Sequence, residues 1–270
     1  MSEVPGKPDG AVRVLHLTDL HMRQALPGTA EGDERLSREI PAALGRLQAK
    51  FTDWTPDAIA MTGDLLDIPD ILYGGVEGLD PEIDAETAAA ATEDYRWMLN
   101  WLEGTGLPFA AIPGNHDLED VFRRAFPGPG VAAAAGLRFV RFFDVVDDKM
   151  SPIRTKAGER LMDEVLGDPA HDGPQVHLQH YILAPDIFAK NKHYTYQVDG
   201  AYTAAIEASG RVRCTLSGHR HPGALAEGAG GVVYSTVPAF GEAPFPVRLM
   251  DIDPAPGSAT PVEVIDASVD

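Results

Sequence analysis

The order of apolar and polar positions predicts strands that alternate with helices along most of the chain. Short continuous apolar runs are typical of buried strands, whereas apolar residues three or four positions apart indicate an amphipathic helix. Apolar runs predict strands at 12–18, 58–62, 109–112, 137–146, 176–179, 213–217, 232–237 and 247–252. Helical spacing predicts helices at 36–51, 84–103, 156–166 and 202–209. Pro41 favours a start or a kink within the first helix, and Asp84 is the expected N-cap of the second.

This alternation favours one α/β domain over residues 1–270, because no internal repeat and no clean linker divides the chain. Its core is expected at about 11–254, with polar tails at 1–10 and 255–270, and the second of these tails is expected to be loosely held. Two further segments are expected to shape a binding site. One is a long insertion at 68–113, and the other is a loop at 186–200 that carries Lys and Tyr residues.

Composition adds limits on location and redox chemistry. Hydrophobic residues make up 44% of the 270 positions, but no apolar stretch is long enough for a membrane span. The first ten residues lack the apolar segment of a signal peptide, which predicts a cytoplasmic protein. Cys214 is the only cysteine, so an internal disulfide and a thiolate-rich zinc site are both excluded.

The formal charge of −19 narrows the possible partners. Nucleic acid and anionic membranes require a basic surface, so neither is expected to bind. A small phosphate ester remains possible as the substrate if bound metal ions supply the positive charge at the site.

Five groups of Asp, His and Asn each follow the end of a predicted strand. They are Asp19-Leu20-His21, Gly63-Asp64, Asn115-His116-Asp117, His180 and Gly218-His219-Arg220-His221. Because ligands bind at the carboxyl ends of strands in an open α/β sheet, these groups are expected to converge on one site.

The side chains in these groups favour a centre of two metal ions. Mixed nitrogen and oxygen ligands without thiolate suit Mn, Fe or Zn. The set exceeds the four ligands of a tetrahedral zinc, and it fits two divalent or trivalent ions that share a carboxylate. Two ions about 3.5–4 Å apart can clamp the oxygens of a displacement at phosphorus and acidify a shared water that attacks it.

His116 is predicted to have a catalytic role rather than a ligand role. It directly follows Asn115, where it could contact the phosphoryl oxygen or protonate the leaving alkoxide as a general acid. Asp117 is expected to hold the His116 ring in one orientation.

The ordered set Asp19-x-His21, Gly63-Asp64-x-x-Asp67, Gly114-Asn115-His116-Asp117, His180 and Gly218-His219-x-His221 resembles the calcineurin-like metallophosphoesterase superfamily. Within this superfamily, the motifs Asp19-Leu20-His21 and Gly218-His219-Arg220-His221 are most similar to those of class III cyclic-nucleotide phosphodiesterases and their relatives. The resemblance implies a sandwich of two mixed β-sheets flanked by helices. It also implies one metal held by Asp19, His21, Asp64 and His221, and a second held by Asp64, Asn115, His180 and His219.

Several functions share such a metal core. The favoured one is hydrolysis of a small soluble phosphodiester, such as a cyclic nucleotide or a glycerophosphodiester. The alternatives are a phosphomonoesterase, acting on a nucleotide or a protein, and a non-catalytic scaffold of the same fold.

The oligomeric state stays open, with a homodimer as one alternative. Loop residues are the candidates for substrate binding, namely Arg23, Tyr73 and His193.

Two other histidines are assigned to packing. His16 lies within the first predicted strand, and His177 is expected on the opposite face of its strand from His180.

Overall fold

A sandwich of two mixed β-sheets forms the centre of the molecule, and helices cover its outer faces. The computed structural model describes residues 4–28, 34–68, 83–128, 130–147, 149–185, 193–196, 200–255, 258 and 261–270. This architecture confirms the fold class that the resemblance implied. None of the described helices is both long and apolar enough to cross a membrane.

The strands among these residues run as follows: β1 Val12–Leu17, β2 Ala58–Thr62, β3 Phe109–Ile112, β4 Val131–Ala134, β5 Leu137–Arg141, β6 Val145–Val146, β7 Pro152–Ile153, β8 Gln175–Leu178, β9 Val212–Ser217, β10 Ala224–Glu227, β11 Val233–Thr236, β12 Pro246–Ile252 and β13 Val262–Ser268. The α-helices are α1 Ile40–Ala49, α2 Phe51–Trp54, α3 Ala85–Gly104, α4 Glu119–Ala125, α5 Lys156–Gly167 and α6 Ala201–Ser209.

Parallel strands lie at the centre of both sheets. The first sheet has the order β13-β12-β1-β2-β3, and the second has the order β10-β11-β9-β8-β5-β4. Strands β1, β2 and β3 are parallel to one another, as are β5, β8, β9 and β11. Because the carboxyl ends of parallel strands share an edge, the loops after β1, β2 and β3 leave the first sheet together.

Alternating side chains divide the apolar residues into separate clusters, because successive residues of a strand face opposite sides of a sheet. In β1, Val14 belongs to the cluster shared by the two sheets, whereas Leu15 and Leu17 join the cluster formed with α1, α3 and α4. Cys214 is a buried core residue of the shared cluster, as its apolar surroundings in the sequence indicated.

The carboxyl-terminal segment corrects one prediction. Residues 255–270 were expected to form a loosely held tail, but β13 pairs with β12 along its whole length, from Pro246 opposite Ser268 to Ile252 opposite Val262. As an edge strand, β13 keeps most of its residues only half-buried. It therefore carries Glu263 and Asp266 between its apolar residues, which is why its sequence looks like that of a polar tail.

Smaller differences concern short elements. The strand predicted at 137–146 is divided into β5 and β6, and Phe142 to Asp144 connect them. Helix α1 begins at Ile40, one residue before Pro41. Most of the insertion predicted at 68–113 is accounted for by α3 and β3, and Asp84 caps α3 by accepting a hydrogen bond from Thr87 N. Residues 69–82 of the insertion lie outside the described residues.

Candidate metal centre

Left-handed backbone turns bring the proposed ligands to the edge of the sandwich. Asp19, His21, Asp64 and His219 have φ angles of 50°, 49°, 50° and 66°. A positive φ is uncommon for residues other than glycine and costs on the order of 1–3 kcal/mol. It is retained here because it turns each side chain toward the same space.

Glycines allow the loops after β2 and β3 to approach each other closely. Gly63 has a φ of 97°, and a Cβ atom there would lie 2.5 Å from His180 Nδ1 and 2.7 Å from Gly114 N. A Cβ atom on Gly114 would in turn clash with the Asp64 side chain. The two glycines therefore let Asp64, His180 and the Asn115 loop share one small volume.

The first ligand cluster combines residues from opposite ends of the chain. Asp19, His21 and His221 offer ligand atoms that all lie within 4.8 Å of one another. The Nε2 atoms of His21 and His221 are 3.2 Å apart, and Asp19 Oδ1 lies 3.6 Å from His221 Nε2. The cluster is tied together by the backbone N–H of His219, which donates to Asp19 Oδ2 at 2.9 Å.

The second cluster lies beside the first. Asp64, His180 and His219 again offer ligand atoms within 4.8 Å of one another. Asn115 joins them, with its Oδ1 atom 3.0 Å from His180 Nε2.

Asp64 stands between the two clusters. Its Oδ2 atom lies 3.8 Å from His21 Nε2 and 3.4 Å from His180 Nε2. Its Oδ1 atom accepts a hydrogen bond of 2.8 Å from the backbone N–H of His116, which fixes the carboxylate plane. Asp64 is therefore the carboxylate that two ions could share.

Hydrogen bonds to fixed acceptors set the tautomers of three histidines. His180 donates from Nδ1 to the Thr62 carbonyl at 2.7 Å, and His221 donates from Nδ1 to Glu242 Oε1 at 2.5 Å. His219 donates from Nε2 to the His193 carbonyl at 3.0 Å. When each ring is neutral, the nitrogen that makes this hydrogen bond carries its one N–H, so the other nitrogen would have a lone pair for a metal that displaces the second proton.

The donor set fits two metal ions of borderline hardness. Buried carboxylates, an amide oxygen and imidazole lone pairs face one another over short distances, an arrangement that a cation between them stabilises. Burial alone would raise the pKa of Asp64, but the charges of His180 and His116 outweigh it and hold that pKa well below its usual range. Asp64 is thus an ionised carboxylate in a buried site.

His116 lies beside the ligands with its side chain 12% exposed. Its ring centre is 4.9 Å from that of His21, and its Nδ1 atom lies 3.0 Å from Asp67 Oδ1. Burial lowers the pKa of His116, but the charges of Asp64 and Asp67 outweigh that effect and raise it. The carboxylate that orients His116 is therefore Asp67.

The role assigned to Asp117 in orienting His116 is corrected. Its carboxylate accepts hydrogen bonds from the backbone N–H groups of Leu65, Leu66 and Gly114 at 3.1, 3.1 and 2.8 Å. It also accepts one from the Tyr95 hydroxyl at 2.7 Å. Burial, followed by the charge of Asp64, raises the pKa of Asp117 to about 6. Among the described residues, the hydrogen-bond partners of the Asp117 carboxylate do not include the His116 ring, and Asp117 holds the loops that carry Asp64 and Asn115.

The three candidates for substrate binding have different positions. Arg23 is buried and donates from Nε and Nη2 to Asp67 Oδ2 at 3.0 and 2.7 Å, so it is a structural partner of Asp67. His193 is exposed, and its Nδ1 atom lies 3.0 Å from the Met150 carbonyl. Its contact with the proposed ligands is made by its backbone carbonyl, which accepts the hydrogen bond from His219 Nε2. Tyr73 lies outside the described residues.

The two histidines assigned to packing are buried. His16 Nε2 lies 2.8 Å from Thr62 Oγ1, and His177 Nε2 lies 2.9 Å from Gln175 Oε1.

Sequence reasoning missed two residues that support the centre. Glu242 holds His221 from the loop after β11. Asp94, buried in α3, accepts hydrogen bonds from the backbone N–H groups of residues 24–26, which follow the first ligand loop. The sequence feature that could have indicated Glu242 is its position after β11. This strand is parallel to β9, so its carboxyl end lies at the edge where the other proposed ligands lie.

A known protein family and individual proteins are similar to this chain in sequence. Residues 12–223 match the model of the calcineurin-like phosphoesterase family. A protein of Psychrobacter arcticus named "Probable cyclic nucleotide phosphodiesterase" is 32% identical over 118 residues, which are 42% of this chain. The matched part spans 34% of that relative's own length.

Solved structures share the fold at low identity. A dimetal phosphatase from Danio rerio has a TM-score of 0.66 and 11% identity, covering 97% of this chain and 100% of its own. The anchor in the inner membrane complex of Plasmodium has a TM-score of 0.57 and 10% identity, covering 96% of this chain and 85% of its own. Identities this low relate the folds alone.

Proposed function

This chain belongs to the calcineurin-like phosphoesterase family, and on that premise we propose that it is a phosphodiesterase dependent on two metal ions. The proposed substrate is a small soluble diester, such as a cyclic nucleotide or a glycerophosphodiester. The observation that carries this proposal is the position of Asp64 Oδ2, 3.8 Å from His21 Nε2 and 3.4 Å from His180 Nε2. A carboxylate in this position suits a shared ligand of two ions.

The proposed ligands form two sets. Asp19, His21 and His221 would hold one ion, Asn115, His180 and His219 would hold the other, and Asp64 would bind both. The proposed metals are Mn, Fe or Zn, which accept mixed oxygen and imidazole ligands. When bound, such a pair supplies Lewis-acid chemistry, polarising the phosphoryl group and activating water near neutral pH.

The chain itself supplies the proton in this proposal. In hydrolysis, the attacking water releases one proton to solvent, its oxygen forms a bond to phosphorus, and the bond from phosphorus to the leaving oxygen breaks. His116 would give a proton from Nε2 to that oxygen, because its Nδ1 atom is held by Asp67 Oδ1 at 3.0 Å. Asp67 thereby turns Nε2 toward the substrate without contacting the substrate itself.

Two observations bear on the class of ester. The relative from Psychrobacter arcticus carries the name of a cyclic nucleotide phosphodiesterase, which supports the diester. A phosphomonoesterase is the second candidate, because the Danio rerio protein that shares the fold is described as a dimetal phosphatase.

The deciding experiment compares two model esters on metal-defined protein. Protein stripped with a chelator and reloaded with Mn, Fe or Zn would be given bis(nitrophenyl) phosphate and nitrophenyl phosphate, followed by cyclic nucleotides and open-chain diesters. The proposal requires metal-dependent turnover with diesters preferred. Faster turnover of monoesters would make the protein a phosphomonoesterase, and reloaded protein inactive on every ester would support a non-catalytic role.

A further inference from the structure

The carbonyl that holds His219 belongs to a short segment outside the two large sheets, at residues 193–196. His193 supplies that carbonyl, 3.0 Å from His219 Nε2. His180, by contrast, donates to the carbonyl of Thr62, which lies within β2. The hold on His219 therefore depends on what fixes the 193–196 segment.

Among the described residues, the backbone attaches this segment at one isolated bridge. Thr195 pairs with Ile182 in parallel, and the Tyr194 carbonyl accepts a hydrogen bond of 3.0 Å from Ile182 N. A single bridge outside a sheet is a weak constraint, because strand pairing becomes stable only with several neighbours and packing. Side chains therefore have to supply the rest of the hold.

The hairpin of β6 and β7 contacts both ends of the segment. The carbonyl of Met150, between these two strands, lies 3.0 Å from His193 Nδ1. At the other end of the segment, the Tyr196 hydroxyl donates a hydrogen bond to Oδ2 of Asp144, the residue before β6. The position of the segment thus follows that of the hairpin.

Asp144 is itself held in place, which makes the Tyr196 contact an anchor. Arg154, directly after β7, donates to the two carboxylate oxygens of Asp144 at 3.1 Å each, and both side chains are fully buried. The Arg154 guanidinium lies over the Phe142 ring, 3.7 Å from its centre. Neither charge can leave the other without losing its only compensation in a buried place, so the pair has little freedom to move.

We propose that Tyr196 and Asp144 are positioning residues for the second metal ion, because they keep the His193 carbonyl against His219 Nε2. The inference rests on the proposed function, since it concerns a ligand of the proposed centre. When Nε2 carries the proton of the neutral ring, the lone pair of His219 is on Nδ1 and is free for the ion. Affinity at the second cluster thus depends on an anchor made of residues that are not ligands.

Metal titration tests this anchor without any substrate. Zn²⁺ would be added to the metal-free full chain in competition with a chromogenic chelator, which gives two stepwise affinities. Tyr196→Phe keeps the buried ring and removes the hydroxyl, and it should lower one of the two affinities by about 10-fold. The matched control is Tyr234→Phe, which removes a hydroxyl bonded at 3.0 Å to Glu207 of α6 and should leave both affinities unchanged.

A double variant identifies the ion concerned. Glu242→Gln acts through His221 at the first cluster, so Tyr196→Phe combined with Glu242→Gln should lower both affinities, each by the factor seen in its single variant. Two single variants that lower the same affinity would overturn the assignment to the second ion. If Tyr196→Phe does not fold, His193→Ala decides by the same titration, because it removes the contact with Met150 and keeps the carbonyl.

The tautomer of His219 gives a second readout, in metal-free protein. Nitrogen-15 spectra of the histidine rings should show the Nε2–H form of His219 in wild type and in Tyr234→Phe, and a mixture of both forms in Tyr196→Phe. An unchanged tautomer with unchanged affinities, and only a lower Tm, would overturn the anchor and leave Tyr196 a contact that stabilises the fold.

The failure of this inference is separable from the failure of the proposed function. Wild-type protein that binds two ions and hydrolyses no ester, with one affinity lowered in Tyr196→Phe, would refute the enzyme and keep the anchor. Ester hydrolysis by wild type with unchanged affinities in Tyr196→Phe would keep the enzyme and refute the anchor. Fewer than two ions bound by wild type would refute both.

Discussion

Asp67 Oδ1 lies 3.0 Å from Nδ1 of His116, so the carboxylate that orients the proposed proton donor comes from the loop after β2. The adjacent Asp117 holds backbone N–H groups instead. The two carboxylates thus have different partners, the His116 ring for Asp67 and backbone N–H groups for Asp117. That difference can be measured.

Asp67→Asn should slow the reaction without emptying the site. The substitution removes the charge that holds the His116 ring, and we expect kcat to fall by about 10–100-fold. The metal ligands are untouched, so metal content measured by elemental analysis should stay at the wild-type level. Loss of the metals in parallel with activity would show that Asp67 is a ligand.

Asp117→Asn is the contrasting variant. An amide at this position cannot accept all four hydrogen bonds that the carboxylate receives, which leaves buried N–H groups without partners. We expect the free energy of unfolding to fall by about 1–3 kcal/mol in denaturant titrations. A variant of wild-type stability with greatly reduced turnover would restore a catalytic role for Asp117.

His116→Ala should reveal its role through the leaving group. Without the proton donor, esters with alkoxide leaving groups should react about 10²–10⁴-fold more slowly. Nitrophenyl esters should be affected less, because nitrophenolate leaves as a stable anion. Equal losses on both kinds of ester would mean that His116 does not protonate the leaving oxygen.

Asp64→Ala should remove both metals at once, because Asp64 Oδ2 faces both clusters. Elemental analysis should find a much lower content of both ions, whereas Asp53→Ala, at an exposed position in α2, should keep them. Two ions retained by Asp64→Ala would contradict a shared carboxylate.

Glu242→Gln should weaken metal binding at the first cluster. Glu242 accepts the hydrogen bond that fixes the tautomer of His221, and loss of such a partner lowers metal affinity by about 10–100-fold. Competition with a chromogenic chelator would measure the change, with the exposed Glu227→Gln as the control. Equal affinities in the two variants would show that Glu242 does not tune His221.

His177 should make the fold sensitive to acid. Burial, followed by the charge of Arg154, lowers the pKa of His177 to about 3 in the folded protein. The pKa of an ordinary histidine is about 6.5. At pH values between that pKa and the lower pKa of the folded protein, only the unfolded chain takes up the proton, so the free energy of unfolding decreases as the pH falls. The titration of His177 should lower the free energy of unfolding by about 2 kcal/mol between pH 7 and pH 5.

Denaturant titrations at the two pH values would measure that loss. His177→Gln lacks the titrating ring. Its free energy of unfolding should therefore fall between pH 7 and pH 5 by about 2 kcal/mol less than that of the wild type. An identical loss in wild type and in His177→Gln would contradict the assignment.

The sequence predicted the convergence of the ligand groups because each group directly follows a strand, and strand ends are encoded locally by apolar runs. Asp19, Asp64 and His180 are of this kind. The pairing of His116 with Asp67 depends instead on how two loops pack, and adjacency along the chain favoured Asp117. Glu242 was missed for a related reason, since its relevance requires knowing that β11 lies beside β9.

Strand β13 marks another limit of sequence patterns. A strand at the edge of a sheet satisfies its backbone through one neighbour and leaves many side chains half-exposed, so its apolar content is low. Only the pairing with β12 distinguishes it from a polar tail.

The bond from His219 N to Asp19 Oδ2 joins residues separated by 200 positions. During synthesis, the first cluster therefore has no local precursor: a nascent chain carries Asp19 and His21 long before His221 and Glu242 leave the ribosome. Loading of the proposed metals would follow synthesis of the chain through Glu242 and its folding, because the proposed ligands come together only when both sheets have formed. Any metal that binds earlier would meet two side chains rather than a centre, and it would be held weakly enough to exchange.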